Sequence, residues 1–143
     1  LLHLLYKDVI GVGIDAVNEE QMAEAYKTTF LKNIKKGVDI GRLDPRLLEF
    51  DLKRLAASLV IQRDSLFKYL GLQTLYDRYF LQDQDTRTIL EAPQIFWMRI
   101  AMGLAILEKE SRNEYAIKFY EALSTLRFVA STPTLFRPDR LHE

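Results

Sequence analysis

The chain has 143 residues, 48% apolar and 28% charged, with 6 glycines and 4 prolines; a chain of this kind buries roughly 70% of its unfolded surface and is neither disordered nor collagen-like. Its 20 basic residues balance 20 acidic ones, so no bulk field draws it to nucleic acid or anionic lipid. Cysteine is absent, which excludes disulfides, thiolate metal sites and thiol chemistry within these residues.

Leu1-Leu2-His3-Leu4-Leu5-Tyr6 is apolar, yet Lys7 and Asp8 follow within one turn and there is no basic leader or cleavage site. A start inside an apolar run, without Met, is expected of a chain that begins within a larger intracellular protein. No stretch long enough to cross a bilayer is free of charge, so no membrane partner is expected.

The first strong helix signal opens at Asn18, an N-cap residue followed by Glu19 and Glu20, with Gln21 placed to complete a capping box. Met22, Tyr26, Phe30 and Ile34 then recur along one face. Lys32, Lys35 and Lys36 crowd the last turn, where the helix macrodipole favours cations, and Gly37 is expected to stop the helix. Asp44-Pro45 restarts the chain as N-cap and first helical residue. Leu48, Leu52, Leu55 and Leu59 predict one apolar stripe as far as Ile61. Asp64 or Ser65 is expected to cap a short helix that Gly71 ends, and residues 73–80 read as another short helix, or one merging into a strand.

Tyr79-Phe80-Leu81 and Thr88-Ile89-Leu90 flank the polar link 82–88, a pattern for one small hairpin. Pro93 opens a helix that is apolar nearly all round through Phe96, Ile100, Leu104 and Leu107. That pattern predicts a central position, with Trp97, Ile100 and Leu104 in the middle of the domain. Asn113 and Glu114 are expected to cap the last helix, whose inward face is Ala116, Phe119, Tyr120, Leu123 and Leu126. After Phe128 the chain turns extended, and Pro133 keeps Thr132 out of the helical region. The expected fold is all-α, a helical domain with at most one small β-hairpin.

Few residues offer chemistry. His3 and His142 are the two histidines and stand at opposite chain ends, so neither a histidine metal site nor a Ser-His-Asp triad is expected. Asp83 and Asp85 lack the further oxygen ligands and closing Glu of a calcium loop and read as a solvated turn. Gly11-Val12-Gly13 lacks the third glycine and the lysine of a phosphate loop. Lys32, Lys35, Lys36, Arg42 and Arg46 form a basic cluster, but dipole complementarity accounts for the three lysines, so no nucleic-acid partner is expected. Phe96, Trp97 and Met98 read as packing rather than as a stacking platform. No catalytic residue and no metal ligand is expected in this chain.

Several stretches are more specific than their composition. Leu47-Leu-Glu-Phe-Asp-Leu52 is followed by Tyr69-Leu-Gly-Leu-Gln-Thr-Leu-Tyr-Asp-Arg-Tyr-Phe-Leu81 and by Ala92-Pro-Gln-Ile-Phe-Trp-Met-Arg-Ile-Ala-Met-Gly103. Phe119-Tyr120 and Ser131-Thr-Pro-Thr-Leu-Phe136 come after them. In this order the stretches resemble the N-terminal helical region of the large, catalytic subunit of aerobic class I ribonucleoside-diphosphate reductase. The resemblance covers residues 43–136, and residues 1–10 look like the last helix of that family's ATP-binding cone.

The resemblance implies three parts: residues 1–12 ending a preceding domain, the ATP cone; 13–130 forming the helical domain; and 131–143 leading towards a catalytic barrel. It implies reduction of ribonucleoside diphosphates through radical and redox cysteines on that barrel, downstream of this chain. It also implies ATP and deoxynucleotide effectors, a small radical-generating subunit and a cytoplasmic location. Thr132 aligns with a family residue that contacts the nucleotide, and an extended backbone before Pro133 can present an N–H and a hydroxyl to a diphosphate or ribose. Ser131 would lend a second hydroxyl. The tail from Arg137 to Glu143 departs from the family, which continues with Asn, a small residue and Gly. The competing reading is a non-enzymatic helical module that binds a partner chain.

Overall fold

The computed structural model describes residues 1–12, 18–69 and 71–126. Leu2–Leu5 forms a short helix, α1, continued by a π-helical turn, Tyr6–Ile10, until Gly11 takes a left-handed φ of 83°. Leu2, Leu5, Tyr6 and Ile10 are buried in the core they share with the later helices, while Leu4 faces out.

The next helix, α2, spans Glu19–Asp39. The Asn18 side chain accepts from the Gln21 N–H (2.8 Å) and the Gln21 side chain accepts from the Asn18 N–H (3.2 Å), closing the expected capping box. Met22, Tyr26, Phe30 and Ile34 are buried along one face. Gly37 does not stop the helix. Instead α2 runs on to Asp39, and Gly41, at φ 76°, ends it in a Schellman pair. The Arg42 N–H reaches Gly37 O (2.9 Å) and the Gly41 N–H reaches Val38 O (3.0 Å). Gly37 is there for space, because a Cβ would stand 2.5 Å from Leu43 Cδ1 and 3.0 Å from Leu81 Cδ2.

Pro45–Glu49 is a 3₁₀ turn capped by Asp44, whose carboxylate accepts from the Arg46 N–H (2.9 Å). The predicted single stripe breaks here. Phe50 is extended, and Asp51 caps a separate helix, α3, Leu52–Ala57. Leu47 and Phe50 are therefore buried together with Leu55 and Leu59, whereas Leu48 is 44% exposed. A 3₁₀ segment, Ile61–Tyr69, follows, with Asp64 buried inside it rather than capping it. Gly71 (φ 92°) precedes α4, Leu72–Thr74, which passes into a π-helical turn, Leu75–Tyr79.

The expected hairpin shrinks to one antiparallel bridge, Gln82 with Ile89, flanked by Leu90 N–H to Leu81 O (2.8 Å) and Asp83 N–H to Thr88 O (2.9 Å). No strand forms among the described residues, and the fold is all-α as read from the sequence. Pro93 opens α5, Pro93–Ala105, in which every residue except Leu104 is buried. This is the predicted central helix, but it ends early. Ile106–Ser111 is a 3₁₀ segment kinked at Lys109 (φ 47°); Leu107 within it is 79% exposed, and Leu104 before it is only partly covered.

The last helix, α6, spans Arg112–Ser124 and packs along α5 in the most extensive helix pair of the fold. Ala116, Tyr120 and Leu123 are buried, and Phe119 and Leu126 partly so. Asn113 does not cap this helix. Its side-chain oxygen accepts from the Asp51 N–H (2.9 Å) and so joins the start of α6 to the start of α3. No described helix is long and apolar enough to cross a membrane.

Candidate functional site

Thr132 and Ser131, the residues expected to meet substrate, lie outside the described residues, as does His142. What is described ends at Leu126, whose φ of 61° breaks the helical path after α6. His3 is exposed on α1. The Asp83–Asp85 turn is a local one, with the Asp83 carboxylate accepting from the Asp85 N–H (3.0 Å). The basic cluster is divided: Arg46 is held by Asp44 (2.7 Å) and Lys36 lies 3.8 Å from Asp83. Among the described residues no group of His, Cys, Asp and Glu is arranged to hold a metal ion.

The structure instead assembles a buried polar network that the sequence pattern does not reveal. Asp64 is 1% exposed. Its Oδ2 accepts from the Tyr6 hydroxyl (2.7 Å) and the Tyr26 hydroxyl (3.0 Å), and its Oδ1 accepts from Gln94 Nε2 (2.7 Å). The Tyr26 oxygen in turn accepts from the Gln94 N–H (2.9 Å), one of the first-turn amides of α5 that have no partner within the helix. Gln94 Oε1 accepts from the Tyr120 hydroxyl (2.6 Å), and the Tyr120 oxygen accepts from the Val60 N–H (2.9 Å). One carboxylate thus connects the N-terminal helix with α2 and α5, and through Gln94 with α6.

Burial pushes Asp64 up to about 6, although the bonds from Tyr6, Gln94 and Tyr26 pull the other way. Burial, reinforced by the Asp64 charge, holds the Tyr6 and Tyr26 hydroxyls well above the ordinary phenol range, so both stay donors. Burial likewise pushes Tyr120 up to about 12. A cavity of about 330 Å³ reaches this cluster from outside, between α1, the start of α2 and the Ile61–Tyr69 segment. Leu2, His3, Tyr6, Asn18, Met22 and Asp64 are on its wall.

A second buried pair braces the N-terminal half of α5. Glu91 (1% exposed) and Arg99 (0% exposed) form a two-point ion pair, with Arg99 Nε on Oε2 and Arg99 Nη2 on Oε1 at 3.0 Å. Glu91 Oε1 also accepts from the Leu81 N–H (2.7 Å), tying the chain before the bridge to the central helix. The guanidinium lies 5.2 Å from the Phe96 ring centre, and Phe96 makes edge contacts with Phe80 and Trp97. The hydroxyls of Thr29, Ser58, Ser65 and Thr125 donate to nearby backbone carbonyls. These groups order and connect helices; they do not form a nucleophile with its base.

The signals for these residues are present in the sequence but indirect. Gln94 and Arg99 are polar positions on a helix otherwise read as apolar all round. Tyr rather than Phe on an inward face, as at Tyr26 and Tyr120, points to a buried hydrogen-bond partner. Which partner it would be depends on contacts between residues 6, 26, 64, 94 and 120, far apart in the chain.

Residues 65–137 match the family described as "Ribonucleotide reductase, all-alpha domain". The chain is 43% identical over 143 residues to the ribonucleoside-diphosphate reductase subunit alpha of Chlamydia muridarum, covering 99% of this chain and 13% of that protein. It is 47% identical over 87 residues to the subunit alpha of Helicobacter pylori strain 26695, covering 61% of this chain and 11% of that protein. It is 33% identical over 111 residues to the subunit alpha of Enterobacteria phage T4, covering 75% of this chain and 15% of that protein.

Proposed function

Because the chain belongs to the ribonucleotide reductase all-alpha domain family, we propose that it is the helical domain of a ribonucleoside-diphosphate reductase alpha subunit. The observation that carries this reading is the 43% identity to an alpha subunit along 99% of the chain. Residues 13–130 are the domain proper, 1–12 close an ATP-binding cone, and 131–143 lead to the catalytic barrel. The complete polypeptide reduces ribonucleoside diphosphates to deoxyribonucleoside diphosphates with cysteines outside this chain. A sequence without a single cysteine supports that division of labour.

This domain supplies packing for the barrel and one edge of the substrate site. Thr132 presents its hydroxyl and backbone N–H to the nucleotide there, and Ser131 adds a second hydroxyl. ATP and deoxynucleotides act as effectors on the preceding cone, and a small subunit delivers the radical, in the cytoplasm.

The test is made on the complete alpha subunit that carries this chain, assayed with its small subunit and nucleoside diphosphates. Deoxyribonucleoside diphosphate is the expected product; its absence overturns the enzymatic reading in favour of a helical interaction module. Thr132→Val in the same subunit should weaken substrate binding by about 1–3 kcal/mol, since the partner is charged. Unchanged substrate affinity would reduce Thr132 to a turn residue while leaving the domain assignment standing.

A further inference from the structure

We propose that Asp64 is a latch on the N-terminal helix, and that Leu2–Ile10 lifts from the body when the Asp64–Tyr6 bond opens and Asp64 meets water. This inference is independent of the enzymatic reading and rests on the geometry around one carboxylate.

Tyr6 carries the helix's side-chain hydrogen bond to the body, 2.7 Å to Asp64 Oδ2, and its ring meets the Tyr26 ring edge-on at 6.2 Å. Among the described residues its other holds on the body are apolar, through buried Leu2, Leu5 and Ile10 and partly buried Val9. Leu1, His3, Leu4, Lys7 and Asp8 lie on its exposed side. Behind the latch the carboxylate stays bound to Gln94 and Tyr26, so the body keeps its own network when Tyr6 departs. The 330 Å³ cavity runs between Leu2, His3 and Tyr6 on one side and Asp64 on the other. Lifting the helix therefore opens Asp64 to solvent directly, without moving α5.

In the closed form burial holds Asp64 at about 6, and in water it returns towards its ordinary 3.8. The open form binds fewer protons, so acid closes the latch and neutral pH loosens it. Titratable and charged groups stand near Asp64 on each neighbouring element. The N-terminal helix contributes Tyr6 and, at the cavity, His3; α2 contributes Tyr26 and, at the cavity, Glu19. From α6 come Tyr120 and Glu121, the latter bonded by the neighbouring Arg63 at 3.0 Å, while α5 presents the neutral Gln94.

Amide hydrogen exchange on the 143-residue chain tests the proposal, with rates corrected for the intrinsic effect of pH. Protection at Leu5 to Gly11, whose amides bond within this helix, should fall about tenfold between about pH 5 and about pH 7.5. The same loss should persist in His3→Gln, which removes the imidazole on the cavity wall. It should vanish in Asp64→Asn. A pH-independent protection in the parent, or an unchanged pH dependence in Asp64→Asn, overturns the latch. Tyr6→Phe decides the matter should Asp64→Asn fail to fold, because it removes the bond from the helix side alone. It should lower protection at Leu5 to Gly11 severalfold and leave α5 protected; equal protection to the parent, or an equal loss throughout the chain, overturns the proposal.

Discussion

At Gly37 two local preferences compete, and the distances decide between them. Alanine is the better helix former by about 1 kcal/mol, so Gly37→Ala looks favourable on α2 alone. The added Cβ, however, would stand 2.5 Å from Leu43 Cδ1 and 2.8 Å from Leu43 Cγ. Leu43 is fully buried and Leu81 nearly so, which leaves little room to yield. Overpacking of that kind costs about 1–3 kcal/mol, so chemical denaturation should show a net loss of stability. A neutral or stabilised Gly37→Ala would mean that the Leu43 side chain repacks freely. The Glu91–Arg99 pair obeys a different arithmetic. Glu91→Gln leaves a guanidinium at 0% exposure without its counter-charge, and breaking a buried pair on one side costs about 3–5 kcal/mol. The double variant Glu91→Gln with Arg99→Met should recover much of that loss, because no charge is then left buried. A double variant as unstable as the single one would show that an unpaired charge is not what destabilises the single variant.

At the scale of elements, the N-cap of α2 and the body of α5 are readable because their signals are local. Asn18 and Gln21 meet within one turn, and removing the cap by Asn18→Ala should cost about 1 kcal/mol in thermal or chemical unfolding. Pro93 and the run of apolar residues behind it place α5 at the centre for an equally local reason. A leucine period that looks continuous in the sequence is broken in the fold. Phe50 leaves the helical region, so Leu48 faces solvent while Leu47, one residue away, is fully buried. The same happens at the end of α5, where a 3₁₀ segment takes over at Ile106 and Leu107 faces outward. Leu104→Ala should therefore fall below the 2–5 kcal/mol typical of a fully buried leucine, and Ile100→Ala, at 1% exposure, within the corresponding range for isoleucine. Equal losses at both positions would show that Leu104 is covered in solution. Asn113 departs from its expected capping role for a further reason: its bond runs to Asp51, on another helix, and periodicity carries no information about contacts between helices.

For the molecule as a whole, the Asp64 network makes folding stability depend on pH in a direction opposite to that of a surface ion pair. A carboxylate held by a cation, such as Asp44 under the Arg46 bonds, is shifted down and adds stability as pH rises. Asp64 is shifted up, from 3.8 to about 6, because burial outweighs its three hydrogen-bond donors. Between those two values the folded chain binds the proton and the unfolded chain does not. The contribution of Asp64 is therefore fully present below about pH 3.8 and is lost as pH rises through about 6. Raising a carboxyl from 3.8 to about 6 corresponds to roughly 3 kcal/mol. Other carboxylates overlay their own slopes, so the informative quantity is the stability difference between the parent and Asp64→Asn. That difference should favour the parent more at about pH 4 than at about pH 7, by a few kcal/mol. Urea titrations at the two pH values measure it. A difference that grows towards neutral pH would mean that the ionised carboxylate is the form the three donors are built to hold. In that case Tyr6, Tyr26 and Gln94 would outweigh burial at the centre of this fold.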